Sequence, residues 1–149
     1  MRRADFHLVR GTQADAMLHA CRICAKAFDH GFQVSCLTAA QSQAEQLDEL
    51  LWGFDAQRFI GHGFWPQQDW SAGAAVLISH QGLPPATGNT LLLDLTGSGV
   101  EASGYSRLAD VFIDQPESRQ AARERYRKLQ RQGLELHFHS IDVRPLADS

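Results

Sequence analysis

The sequence predicts a single three-layer α/β domain with a mostly parallel central sheet flanked by helices. Strand-like and helix-like segments alternate through the first half, and two unbroken apolar runs follow at 74–78 and 90–95. Runs of that length suit strands covered on both faces. A chain of 149 residues with 44% apolar and 21% charged content suits one domain with its own core. No apolar stretch approaches the roughly 20 residues of a membrane span, and no signal-peptide core follows Met1.

Asp5-Phe6-His7-Leu8-Val9 reads as the first strand. Thr12-Gln13-Ala14-Asp15 has capping-box spacing, with a hydroxyl to accept one free N–H and a carboxylate to reach back. Met17, Ala20, Cys21, Cys24 and Phe28 then recur on one helical face, and Gly31 supplies the stop. Phe32 to Leu37 reads as a strand. Thr38-Ala39-Ala40-Gln41 fits a second capping box for a helix reaching about Trp52, with Ala40, Ala44, Leu47 and Leu51 inward. At about 100° per residue, Trp52 points off that stripe. Residues 53–73 read as irregular around a short apolar piece, Phe59-Ile60. Gly82, Pro84, Pro85, Gly88 and Asn89 are turn chemistry between the two apolar runs. Asp110 to Asp114 is a further strand, and Leu134 to His139 alternates with period two. The domain is placed at 1–143, with a tail at 144–149.

Charge is unevenly spread. Residues 116–131 hold six cations (Arg119, Arg123, Arg125, Arg127, Lys128, Arg131) and two anions (Glu117, Glu124), so this helix-length run carries +4. The whole chain is −3, which leaves the remainder at −7. A positive stripe on an acidic protein calls for an anionic partner, whereas a general nucleic-acid binder usually has a positive excess overall. Arg119, Arg123, Tyr126 and Gln130 share one lengthwise stripe with Arg127 beside it. Ser118, Ala122 and Leu129 form the neighbouring small-to-apolar stripe, with Tyr126 on the border. Such a surface suits a peptide with carboxylates and a large apolar anchor; the plain alternative is a solvated cationic face.

Other motifs point to little chemistry. Cys21 and Cys24 match C-x-x-C but share the inward helical face, which favours packed core thiols. Three cysteines without a disulfide framework favour a reducing cytosol, hence a cytoplasmic protein. His137 and His139 share one strand face, and no third ligand is placed by sequence near them or near His7, His30, His62 and His80, so no metal is expected. The loop Thr96-Gly97-Ser98-Gly99 follows a strand but lacks the lysine and spacing of a phosphate loop. It supports only an alternative reading, a small nucleotide-binding α/β enzyme. No catalytic set assembles from spacing, and no cofactor is implied. Trp52, with Phe54, Phe59 and Ile60 after it, either folds back under its loop or forms an exposed aromatic patch that marks an interface.

Taken together, these residues resemble the chi subunit family of bacterial DNA polymerase III. The likeness lies in the pattern of the first strand and helix, in Leu47-Asp48-Glu49-Leu50-Leu51-Trp52 followed by Phe59-Ile60-Gly61-His62, and in Arg123-Glu124-Arg125-Tyr126-Arg127 with Gly133 beyond. Two departures stand out: Gly61 where the family usually has proline, and Gln130 in place of an arginine, with Arg131 adjacent.

The resemblance implies a nucleotide-binding-like fold without a nucleotide site, and a non-catalytic subunit of a DNA-directed DNA polymerase, a nucleotidyltransferase assembly. It implies a heterodimer with the psi subunit of the clamp-loader complex, and capture of the acidic C-terminal tail of single-stranded-DNA-binding protein. DNA would be met only indirectly and a membrane not at all. Arg119, Arg123, Tyr126, Arg127, Leu129, Gln130 and Arg131 would hold the tail. Trp52, Phe59, Ile60 and His62 would face psi or a helicase-like competitor.

Overall fold

Seven strands make one sheet in the order β3-β4-β2-β5-β6-β1-β7, and all six pairings among the described residues are parallel. The computed structural model describes residues 2–54, 59–100 and 104–142. Its elements are β1 (Arg3–Arg10), α1 (Gln13–Asp29), β2 (Gln33–Leu37), α2 (Gln41–Gly53), β3 (His62–Phe64), a 3-10 turn (Trp70–Ala72), β4 (Val76–Ser79), β5 (Thr90–Asp94), β6 (Arg107–Ile113), α3 (Pro116–Arg131) and β7 (Glu135–Asp142). The α/β class and the layering follow the sequence, and the parallel character is complete among these pairings. The tail placed at 144–149 and the domain limit at 143 lie outside the described residues.

Strand alternation divides the core in two. Val9, Val34, Cys36, Val76, Ile78, Leu93 and Val111 pack with α1 and α2 on one face. Ala4, Phe6, Leu8, Leu92, Leu108 and Phe112 pack with Ala122 of α3 on the other. Successive residues of β1 thus serve opposite layers, the period-two geometry of a strand.

The first capping box forms in full. The Asp15 amide donates to the Thr12 hydroxyl at 3.2 Å, and the Thr12 amide donates to the Asp15 carboxylate at 2.7 Å. Gly31, at φ +80°, ends α1, and the Phe32 amide returns to the Ala27 carbonyl at 2.9 Å. This is the left-handed stop that glycine provides without a Cβ penalty. Cys21 and Cys24 are buried in the core.

Four expectations need correction. The second capping box does not form: α2 starts after Ala40 with no side-chain cap. The Thr38 hydroxyl instead donates to the carbonyls of Ala40 and Ser79, tying the turn to the neighbouring strand. Ala40 is therefore an exposed capping residue rather than part of the inner stripe. Phe28 is 39% exposed and so does not share the buried face of α1. The irregular segment contains β3, whose three residues are too short to show a period.

The helix α3 is pinned by Arg125. Its guanidinium grips Asp110 of β6 through two bonds, Nε to Oδ2 at 2.7 Å and Nη2 to Oδ1 at 2.9 Å. A third donor reaches the Gly97 carbonyl at 2.6 Å. Burial pushes the Asp110 carboxyl up to about 6 against the opposing pull of Arg125. Removing one partner of a buried pair strands the other's charge. Arg125→Ala is expected to cost about 3–5 kcal/mol in urea unfolding, whereas Arg119→Ala, on the exposed face, should stay within about 0.5 kcal/mol.

Candidate protein-docking site

The outer face of α3 presents charge without internal partners. Arg123, Arg127, Lys128 and Arg131 are exposed and make no ion pair among the described residues. Arg119 lies 3.4 Å from Asp114, an exposed pair of low worth. Gln130 is also exposed. On the inward side, Tyr126 meets Phe6 edge-on, with ring centroids 5.3 Å apart, and Leu129 packs on the same core cluster. The predicted border position of Tyr126 is thus the observed one: half-buried, between the cations and the sheet.

The end of α3 shapes this surface. Gly133 sits at φ +81°, and the Leu134 amide returns to the Leu129 carbonyl at 3.3 Å. That stop turns the chain straight into the edge strand β7. Leu134 and Leu136 then join Tyr126 and Leu129 against the core, and Phe138 stays 56% exposed beside Phe6, its register partner. The result is an apolar step bounded by arginines. Tyr126 and Leu129 line neither the cavity of about 420 Å³ nor that of about 340 Å³.

A second cluster forms at the other end of the sheet. Trp52 and Phe59 are 64% and 72% exposed, with ring centroids 5.9 Å apart. The Trp52 ring also meets His62 edge-on at 4.9 Å. The His62 side chain is buried, with Nδ1 2.9 Å from the Ile60 carbonyl and Nε2 3.1 Å from Asp48 Oδ1, the latter too oblique for a well-directed hydrogen bond. Ile60 lies inside the core. Of the four residues named from sequence, two form the exposed patch and two hold it up from below. Exposed paired aromatics are a common mark of an interface.

The remaining candidates fall into place around the sheet. His137 approaches Glu135, while His139 Nε2 donates to the Asp5 carboxylate at 2.8 Å and its ring stacks on His7 at 4.7 Å. His7 in turn meets His19 at 3.1 Å between ring nitrogens. Among the described residues no group of three or more His, Cys, Asp or Glu side chains is arranged to hold a metal. The loop at 96–99 lies at the carboxyl end of β5, where open α/β sheets place ligands. There, however, the Arg125 side chain already fills the space against Gly97 and Gly99. The adjoining cavity is edged by the Glu117 carboxylate, which opposes a phosphate.

Sequence reasoning missed three residues. Arg125 was counted among the surface cations, although its helical phase places it on the side of Ala121 and Ala122. Phe138 was legible as an even-numbered member of the alternating strand, on the face of Leu134 and Leu136. His19 carried no signal, since its partners His7 and His139 come from separate strands.

The comparisons with known proteins agree with one another. Residues 1–137 match the family described as "DNA polymerase III chi subunit, HolC". A protein of Pseudomonas aeruginosa named DNA polymerase III subunit chi is 35% identical over 95% of this chain and 98% of its own length. One of the same name from Escherichia coli K12 is 28% identical over 92% and 97%.

The titrating groups of the first strand set an acid-stability profile. Burial alone would raise the Asp5 carboxyl, but hydrogen bonds from Arg3 and His139 outweigh it and hold it at about 2, below its ordinary 3.8. Burial, reinforced by His19 and His139, holds His7 at about 4, below its ordinary 6.5. Both shifts favour the form present at neutral pH, so both contributions fade on acidification: His7 from about 6.5 to 4, and Asp5 from about 3.8 to 2. Asp110, being raised, acts in the opposite sense, so the difference from wild type is the informative quantity. Urea midpoints against pH should show the deficit of Asp5→Asn closing between about pH 4 and 2. The slope lost in His7→Asn should lie above pH 4.

Proposed function

This chain belongs to the DNA polymerase III chi subunit family, and from that premise we propose that it is a non-catalytic adaptor, capturing an acidic peptide tail on α3 and a protein partner through Trp52 and Phe59. The tail is that of single-stranded-DNA-binding protein and the partner is the psi subunit, so the chain tethers the clamp-loader assembly to coated template. One observation carries the first half: the unpaired cations of α3 border a half-buried tyrosine and an apolar step. A tail ending in an apolar residue with a free carboxylate needs that combination. Tyr126 and Leu129 take the apolar end, while Arg123 and Arg127 meet the carboxylates. Arg119, Gln130 and Arg131 extend the rim.

Charge-assisted hydrogen bonds contribute roughly 1.5–3 kcal/mol each, and rim pairs about 0–1 kcal/mol with strong dependence on salt. The exposed aromatic pair supports the second half of the reading, because an exposed tryptophan and phenylalanine in contact gain from burial against another protein. Localisation follows the assembly: a cytoplasmic protein that meets DNA only through its partners.

Arg123→Ala should weaken binding of the last ten or so residues of the organism's own single-stranded-DNA-binding protein about tenfold or more by calorimetry. Undiminished affinity sinks the assignment. Trp52→Ala should weaken psi association in a pull-down while leaving tail affinity unchanged; loss of both together would show that the surfaces are not separate.

A further inference from the structure

On the sheet face opposite α3, the C-terminal half of α1 and strands β1, β6 and β5 line a half-open cavity of about 420 Å³. Its floor is apolar, with Ile23, Ala27, Leu91 and Ile141. Its rim is basic. Arg22 and Lys26 project from successive turns of α1, and Arg3 and Arg107 enter from the strands. Asp5 is the one carboxylate among the lining residues.

That carboxylate is already shared. It takes Arg3 at 3.0 Å, His139 at 2.8 Å and Arg107 at 3.6 Å. Arg22 and Lys26 make no ion pair among the described residues. Arg107 is laid over the Phe32 ring at 5.6 Å, and its Nε lacks a hydrogen-bond partner. Favourable interaction with the α1 dipole accounts for Lys26 in the last turn, but not for the arginines of the strands. Beside them stand His19, His7 and His139, linked by the ring contacts above. Burial and its cationic neighbours keep His7 neutral, down at about 4. Arg3 also lies 3.8 Å from Glu135, so the positive charge left without an ion pair is that of Arg22 and Lys26 on α1.

We propose that this cavity binds a small organic phosphate, with Arg22 and Lys26 meeting the phosphate and the apolar floor taking the body of the ligand. The volume falls in the range of small-molecule sites, about 300–1,000 Å³, in a half-open recess between α1 and the sheet. A phosphate carries close to two charges and several acceptors, matching paired cations and neighbouring imidazole donors. The site is distinct from the loop at 96–99, which lies at the opposite, carboxyl end of the strands.

The test titrates the full-length ¹⁵N-labelled protein with AMP, adenosine and inorganic phosphate, and with a short oligothymidine bearing or lacking a 5′-phosphate. AMP is expected to give saturable amide shifts along α1 and β1 in about the millimolar range or tighter, with adenosine giving none and inorganic phosphate binding more weakly. Replacing Arg22 and Lys26 together by alanine should weaken AMP about tenfold or more, with the amide spectrum confirming the fold and tail-peptide affinity unchanged. Arg123→Ala should leave AMP binding intact. Saturation by the 5′-phosphorylated strand but not its unphosphorylated twin identifies a strand end as a source; saturation by AMP alone identifies free nucleotide. Shifts confined to α3, shifts that adenosine reproduces, AMP no tighter than inorganic phosphate, or affinity untouched in the double variant each overturn the proposal.

Discussion

Everything on the α3 side of the molecule depends on the forked contact between Arg125 and Asp110. A helix whose outer face is dense in like charge gains little from its own surface, and α3 buries only Ala122 fully. The guanidinium supplies the missing anchor and fixes the rotation of the helix about its axis. With Arg125 held against β6, Arg123 and Arg127 must turn to solvent and Tyr126 must fall on Phe6. The same side chain closes the loop after β5. One interaction therefore both orients the cationic face and fills the crevice in which related architectures hold a ligand.

The sheet order sets the two candidate surfaces apart. Trp52 and Phe59 stand by β3 and β4 at one margin, while α3 covers β6, β1 and β7 at the other. At about 4.8 Å per strand, the three spacings from β4 to β6 put roughly 14 Å of hydrogen-bonded sheet between them. The basic cavity occupies a third position, under α1, with the sheet itself between it and α3.

Periodicity made much of this legible. The angle of Trp52 placed it off the inward stripe but left open whether it folds back or stands exposed, and the capping box of α1 formed as its spacing required. The border position of Tyr126 followed from counting around a helix. What stayed hidden depended on contacts between distant segments. Helical phase could have set Arg125 apart from its neighbours, but only the buried Asp110 on β6 explains why a cation belongs there. Thr38 could satisfy a neighbouring strand in place of a helix end, and local sequence gave no preference. The three residues of β3 were too few to show alternation. The histidine row is drawn from two strands and a helix that meet only in the folded chain.

The three thiols have a practical consequence. All are free and sealed within the core, and burial pushes Cys21 up to about 12 and drives Cys24 and Cys36 in the same direction. A thiolate is the species that alkylating agents and peroxides attack, so the native chain offers them almost no target. Modification must wait for the core to open, and its rate becomes a clock for that opening. Without any added label, the protein carries a built-in reporter of its own global fluctuations.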